Sequence, residues 1–334
     1  MTESFIILFY FLIVLLGTRF YINFAVKRNI TAKINFRTLH KSEMPKGGGI
    51  IIYASVVLGL SFISHFQEID NKLFDGIVIG GSIIAIYGFI DDILDIQRYK
   101  KFITLSLISF IPLLIFGESN IINIDLPQPL LLLMYWFSIL WFLNAYNFID
   151  GIDGLATSIG AFISFAVLVL NFMTFMYFDI NVISLLIMIS CLAFLAFNFP
   201  PARVFMGDTG SLFLGYSIVI MILHTSHHDL ISIWTWLILL SFVLGETTTT
   251  TILRIFLTEK WYGAHRSHAY QNLARITDSH KTVLLGITFY HLLWILPLAL
   301  LSQIYENYEK LFFVQAVLPV ILMNLIYGPK FSSK

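Results

Sequence analysis

The chain has 334 residues, 58% of them apolar and 12% charged, with twenty acidic and twenty basic side chains. Soluble domains carry about 25% charged residues, so this composition excludes an ordinary soluble protein, and zero net charge excludes nucleic-acid binding through global basicity. One cysteine, Cys191, excludes an internal disulfide and reads as a small buried hydrophobe.

What remains is an all-α, polytopic membrane protein. About 20 apolar residues cross roughly 30 Å of hydrocarbon, and helices satisfy their own backbone groups there. Apolar runs near 4–25, 49–66, 74–90, 101–117, 129–146, 154–176, 180–199, 211–225, 230–256, 282–302 and 310–327 predict eleven spans in a single domain, 1–334. The first run lacks a basic leader and a small-residue cleavage site, and Arg19 closes it, so it reads as a span and not as a removed signal peptide. Seventeen of the twenty Lys and Arg residues fall on one side of this arrangement, against Lys72 and Lys310 on the other. The positive-inside rule then places the N-terminus outside and the C-terminus in the cytoplasm.

Polar residues gather at the expected cytoplasmic ends, in segments near 26–48, 91–100, 144–154, 198–211 and 257–281. The first contains Lys41-Ser-Glu-Met-Pro-Lys46-Gly-Gly-Gly49, whose glycines allow close approach to a phosphate, a weak signal taken alone. Next, Asp91, Asp92 and Asp95 sit where the third span ends, with Asp91 and Asp95 on one helix face. Like charges on one face repel, which implies a bound cation or basic partners; solvated acids paired with Arg98 or Lys100 are the plainer alternative. Asn144, Asn147, Asp150 and Asp153 then recur every three residues as one hydrophilic edge, with Gly151 and Gly154 beside it. Their oxygens are hard ligands suited to magnesium and to ribose or base hydroxyls.

After Pro200 and Pro201 stop a helix, Phe205-Met-Gly-Asp208-Thr-Gly-Ser211 reads as a tight turn feeding a helix N-terminus. Such a terminus suits an anion, and Asp208 suits the accompanying metal. His224, His227 and His228 fall in an expected outer turn and read as exposed and non-catalytic. The hydroxyls of Thr247–Thr251 either line a groove or bond back to their own helix or to a neighbour. In the last large loop, His265-Arg266-Ser-His268-Ala-Tyr-Gln271 can bind a diphosphate through Arg266; zinc on His265 and His268 would lack a defined ligand frame.

Together these clusters resemble the polyprenyl-phosphate N-acetylhexosamine-1-phosphate transferase family. The matching runs are Asp91-Asp92-Ile-Leu-Asp95, Asn144-Ala-Tyr-Asn147-Phe-Ile-Asp150-Gly-Ile-Asp153-Gly, and Phe205-Met-Gly-Asp208-Thr-Gly-Ser211, in the same order. The resemblance covers essentially the whole chain. It implies Asn147 and Asp208 as Mg2+ ligands, and Asp91, Asp92 and Asp150, with His265 and His268, in or beside the catalytic site. It also implies a uridine pocket of Gly151, Ile152, Asp153 and Phe205, with Asn144, Lys41, Lys46 and Arg266 as further substrate-binding residues. The implied partners are a UDP-N-acetylhexosamine and undecaprenyl phosphate in a bacterial inner membrane, leaving a homodimer open. The wider spacing of His265 and His268 looks more like the members that initiate O-antigen, hence lipopolysaccharide, or other surface glycans than like the peptidoglycan enzyme. Glu246 departs from an expected aspartate. A lipid-linked-sugar transporter is the rival from another class, but its binding groups would lie near the bilayer midplane.

Overall fold

The structure is a computed structural model that describes residues 2–32, 43–117, 126–174, 177–257, 263 and 266–332. Every expected span is helical. We number the helices α1 (Thr2–Lys27), α2 (Gly49–Ile63), α3 (Asn71–Leu94), α4 (Arg98–Phe116), α5 (Gln128–Ile149), α6 (Leu155–Thr174), α7 (Phe178–Asn198) and α8 (Gly207–His227). Then follow α9 (Ile233–Leu239), α10 (Ser241–Leu257), α11 (Ala269–Ile276), α12 (His280–Ile304), α13 (Glu309–Tyr327) and the short α14 (Pro329–Ser332). Among the described residues, nine helices are long and apolar enough to cross a membrane. The chain is therefore a multi-pass membrane protein.

Three differences from the expected spans bear on the site. The 74–90 run extends to Leu94, so Asp91 and Asp92 occupy the last helical turn of α3. The 211–225 run begins earlier, at Gly207, which puts Asp208 in the first turn of α8. The 230–256 run is not one straight span: α9 and α10 meet at 71° around Leu240. No Gly or Pro marks that break, although Leu240 leaves the helical region with φ −91° and ψ 0°.

Helix α8 is the pillar of the bundle, 89% of its apolar window being buried, whereas α1 and the last span are lipid-facing at 17%. It packs along α3, α5 and α2, while α6 packs along α7. The outer surface carries Phe20, Leu58, Leu114, Phe256 and Leu293, each exposed, as expected of side chains solvated by lipid. Two π-helical stretches have local causes. One, Gly76–Gly80, has a glycine at each end; the other, His291–Ile295, directly precedes Pro297, which cannot donate a backbone hydrogen bond.

The chain between α1 and α2 forms a two-stranded antiparallel pair, β1 (Thr31–Ala32) and β2 (Met44–Pro45). Phe205 N–H donates to the Pro45 carbonyl at 2.8 Å, and Gly48 and Gly49 N–H donate to the Phe205 and Met206 carbonyls. Two N–H groups of the glycine run are thus committed to backbone carbonyls. Its use is steric, because a Cβ on Gly49 would stand 2.2 Å from the Gly210 Cα, where backbone meets backbone. Only glycine lets α2 and α8 approach this closely.

Candidate active site

The site forms where the end of α3 meets the start of α8. The first turn of a helix leaves N–H groups without intrahelical partners, and in α8 two of them donate to Asp92: Asp208 N–H at 3.1 Å and Thr209 N–H at 3.0 Å. The Thr209 hydroxyl adds a third bond at 2.6 Å. Asp92 is buried and acts as the cap of α8, so the two adjacent aspartates do different work. Gly207 permits this contact. Its φ is +73°, and a Cβ there would lie 2.5 Å from a carboxylate oxygen of Asp92.

Asp91 turns the other way. It accepts from Ile96 N–H at 2.8 Å and from Lys101 Nζ at 2.8 Å. Lys101, in the first turn of α4, also donates to Asp208, so one ammonium bridges two carboxylates. Asp208 further accepts from Asn147 Nδ2 at 2.8 Å, and that amide also donates to Ser211 Oγ at 2.9 Å. Asp91, Asp208, Asn147 and Lys101 therefore converge from α3, α8, α5 and α4. Lys101 opens the 101–117 run, and the sequence pattern alone does not set it apart from Arg98 and Lys100. What sets it apart is helical phase, since Arg98 and Lys100 point elsewhere on the same short turn.

Asp150 caps the C-terminal end of α5 and takes a backbone hydrogen bond from Gly207. Loss of water around its carboxyl, then the charges of Asp208, Asp92 and Asp153, push its pKa up to about 8. Asp153 is buried and bonds Ala202 N–H at 3.0 Å, with His280 Nδ1 at 3.3 Å. It ties the turn before α8 to the start of α12. Ile152 is buried beside it, and Phe205 is half-buried. A Cβ on Gly151 would meet the Tyr270 hydroxyl at 2.2 Å, and that hydroxyl donates to the Phe148 carbonyl at 2.7 Å. Asn144 donates back to Leu140 in its own helix at 2.8 Å. Lys46 is half-buried at the entrance to α2, its carbonyl accepting from Tyr21 at 2.7 Å. Lys41 and His265 lie outside the described residues.

The remaining cluster turns inward. His268 is buried, its Nδ1 2.7 Å from Glu246 Oε2, while Glu246 Oε1 accepts from Ala269 N–H at 3.0 Å. Glu246 therefore caps α11 and orients His268, two tasks that need its length. Arg266 is half-buried, and its carbonyl accepts from Arg275. Arg254, not singled out in the sequence, is buried and donates to Ser267 and to the Gly263 carbonyl. Glu246→Asp withdraws the carboxylate by one methylene, so one of these bonds is lost. We expect about 1–2 kcal/mol of destabilisation, and about 2–3 kcal/mol or more for Glu246→Ala, which orphans both donors. Thermal unfolding of the two variants in detergent checks the order.

A groove runs alongside. Ser138, Trp141 and Phe142 of α5, Val219 and Leu223 of α8, and Leu244, Thr248, Thr251 and Ile255 of α10 help line an apolar cavity of about 750 Å³. It is open on its flank, where Phe137, Ile252 and Ile255 are exposed. The threonine run divides between the two roles expected of it. Thr248 and Thr251 line the groove, whereas Thr250 is buried and bonds Asn324 and Glu246. From Trp141, α5 continues six residues to Asn147, about 9 Å along the axis.

Comparison with known proteins agrees with this arrangement. Residues 74–226, which carry Asp91, Asp92, Asn147, Asp150 and Asp208, match the model of "Glycosyl transferase family 4". A "Probable undecaprenyl-phosphate N-acetylglucosaminyl 1-phosphate transferase" of Bacillus subtilis is 31% identical over 273 residues, covering 79% of this chain and 75% of the relative. A "Phospho-N-acetylmuramoyl-pentapeptide-transferase" of Clostridium botulinum is 35% identical over 202 residues, 54% of this chain and 59% of the relative. A "Decaprenyl-phosphate N-acetylglucosaminephosphotransferase" of Mycolicibacterium smegmatis is 28% identical over 216 residues, 57% of this chain and 52% of the relative. With a relative 31% identical over three quarters of its own length, and with the family match at residues 74–226 spanning the carboxylates that the fold draws together, the chain belongs to glycosyl transferase family 4.

Proposed function

We propose that this protein transfers N-acetylhexosamine 1-phosphate from a UDP-sugar to undecaprenyl phosphate, releasing UMP, as the first membrane step of a surface glycan such as an O-antigen. One observation carries the reading: a carboxylate cluster bridged by a lysine lies at the end of a membrane bundle, and α5, which brings Asn147 to that cluster, lines an open apolar groove with Trp141, about 9 Å back along its axis. The cluster suits the diphosphate end of the reaction, and the groove suits a polyprenyl chain. By the distribution of basic residues, the site faces the cytoplasm of a bacterial inner membrane. The names of the relatives from Bacillus subtilis and Mycolicibacterium smegmatis support the acceptor and the sugar.

The residues also fit a magnesium ion. Asp91 and Asp208 offer hard oxygens facing one ammonium, with the Asn147 amide at the same point, and there is no sulfur or imidazole among these groups. Asp208, Asp91 and Asn147 would hold Mg2+, which when bound neutralises diphosphate charge and lowers the repulsion between two anionic substrates. The chain's own contribution is positional. Asp92 fixes the start of α8, so Asp208 is presented at one place. Lys101 joins Asp91 and Asp208 through one ammonium, a positive charge beside the place the phosphates would take. The acceptor phosphate attacks the β-phosphorus of the donor; the P–O bond to UMP breaks, and UMP leaves with the electron pair. A phosphomonoester has a second pKa of about 6, so it is largely dianionic at neutral pH and needs no strong base.

The direct test is UMP release by purified protein with undecaprenyl phosphate and magnesium across a panel of UDP-N-acetylhexosamines. UDP-N-acetylmuramoyl-pentapeptide belongs in the panel, given the name of the relative from Clostridium botulinum. Lipid-dependent release with one N-acetylhexosamine supports the reading. Release only with the muramoyl donor moves it to peptidoglycan synthesis, and failure of every UDP-sugar to bind removes it.

The pH dependence has a defined sign. The Asp150 pKa is raised in the folded protein to about 8 from an ordinary value of 3.8. The folded state therefore holds more protons between these limits. This contribution to stability is full below about pH 4 and is lost as pH rises through about 8. Chelator-treated protein should show a thermal midpoint that falls between about pH 5 and pH 8 and levels off above, and Asp150→Asn should flatten that slope. An equal slope in the variant would refute the assignment to Asp150.

A further inference from the structure

The opposite end of α8 carries a second cluster of ligating side chains. The sequence suggested that His224, His227 and His228 are all exposed. The structure corrects this for His224, which is 1% exposed, because α8 packs against the first turns of α3, with Asp70 beside the ring. His227 is exposed and His228, which ends the helix, is half-buried. His224 and His228 are separated by one helical turn, and their rings lie 4.6 Å apart. Asp70, entering α3, places Oδ1 3.7 Å from His224 Nδ1.

Neither ring nitrogen of buried His224 has a hydrogen-bond partner among the described residues. A buried imidazole without any partner is costly in a protein interior, since its polar atoms have exchanged water for nothing. One ligand atom from each of Asp70, His224 and His228 lies within 4.8 Å of the others. Tetrahedral zinc at about 2.0–2.2 Å from N and O ligands sets neighbouring ligand atoms roughly 3.4 Å apart, so the set need draw together by about 1.4 Å or less to hold the ion. Asp70 is itself held in place, its N–H donating to Asp179 at 3.0 Å and its Oδ1 accepting from Leu73 N–H at 2.9 Å.

We propose that Asp70, His224 and His228 form a binding site for a divalent transition-metal ion of the zinc class, separate from the transfer site. Two imidazoles and one carboxylate favour zinc or cobalt over magnesium, which prefers oxygen alone. The fourth position is open to water. From Asp208 to His224 is sixteen residues of one helix, about 24 Å, so the two sites do not share a ligand. The ion would fasten the connection between α2 and α3 to the far end of the helix whose first turn holds Asp208.

The test uses the tag-free full chain in detergent, stripped with chelator, reloaded with zinc in excess magnesium and then desalted. One zinc per chain should be retained, and cobalt in its place should give the visible absorption of a tetrahedral N/O site. Zinc affinity should fall at least about 10-fold in His228→Gln and in Asp70→Asn, and should be unchanged in Asp208→Asn. Both loss variants alter partly exposed residues, and an unchanged thermal midpoint without zinc verifies their folding. Zinc should raise the midpoint of the parent protein and not of His228→Gln. No retention by the parent protein, equal retention by both loss variants, or loss in Asp208→Asn would each overturn the proposal. The last outcome would place the metal at the transfer site. Failure here leaves the UMP-release result untouched, because neither measurement reads the other.

Discussion

Asp208→Asn is expected to lower UMP release by about 10²- to 10³-fold or more, the scale on which removal of one preorganised electrostatic group acts. The substitution keeps the shape of the side chain and leaves the α8 cap intact, because the groups that bind Asp92 are the backbone N–H of residues 208 and 209 and the Thr209 hydroxyl. Folding should therefore survive while the negative charge facing Lys101 disappears. The decisive comparison is with Asp92→Asn, which replaces an acceptor used by three donors. Asp92→Asn should lower the thermal midpoint as well as turnover, whereas Asp208→Asn should lower turnover alone. Comparable loss of midpoint in both would mean that Asp208 is also structural.

Lys101→Met should have opposite consequences with and without metal. Lys101 is the ammonium that Asp91 and Asp208 share. Its side chain and that of Asp208 are 22% and 24% exposed, so solvent screens part of the interaction. We expect about 1–3 kcal/mol of destabilisation, less than the 3–5 kcal/mol typical when a fully buried pair loses one partner. Magnesium should restore much of that loss, since a cation between the two carboxylates does the same electrostatic work. Turnover should remain low even at saturating magnesium, because the positive charge beside the phosphates is missing. Thermal midpoints across a magnesium titration, read beside UMP release, check both halves. Full recovery of turnover by magnesium would reduce Lys101 to a stabilising residue.

Much of the helical framework was legible from hydropathy, because lipid demands long apolar runs and eleven such runs are present. The bend at Leu240 was not, since it arises where α9 packs on α12 and α13 and no Gly or Pro announces it. The meeting of Asp91, Asn147 and Asp208 was readable through spacing and family resemblance. The division between Asp91 and Asp92 was hidden, because it depends on which of two neighbouring carboxylates faces the start of α8. Glu246 looked like a departure from pattern. Its length makes sense only once α10 and α11, distant in sequence, bring His268 and Ala269 to it. His224 was misjudged for a related reason: turn composition suggests exposure, and only packing shows that the start of α3 lies against its end of α8.

The flank opening of the groove beside the α9–α10 bend has a consequence for how a lipid reaches this protein. Drawing a polyprenyl tail into water would cost about 0.8 kcal/mol for every methylene-sized unit exposed. If the groove seats the carrier, as proposed, its open flank removes that step. The tail can slide in by two-dimensional diffusion within one leaflet, never leaving hydrocarbon, while its phosphate stays at the interface. Encounter would then depend on the surface density of the carrier in the membrane and not on any concentration in solution, so turnover should follow the mole fraction of carrier in the vesicle.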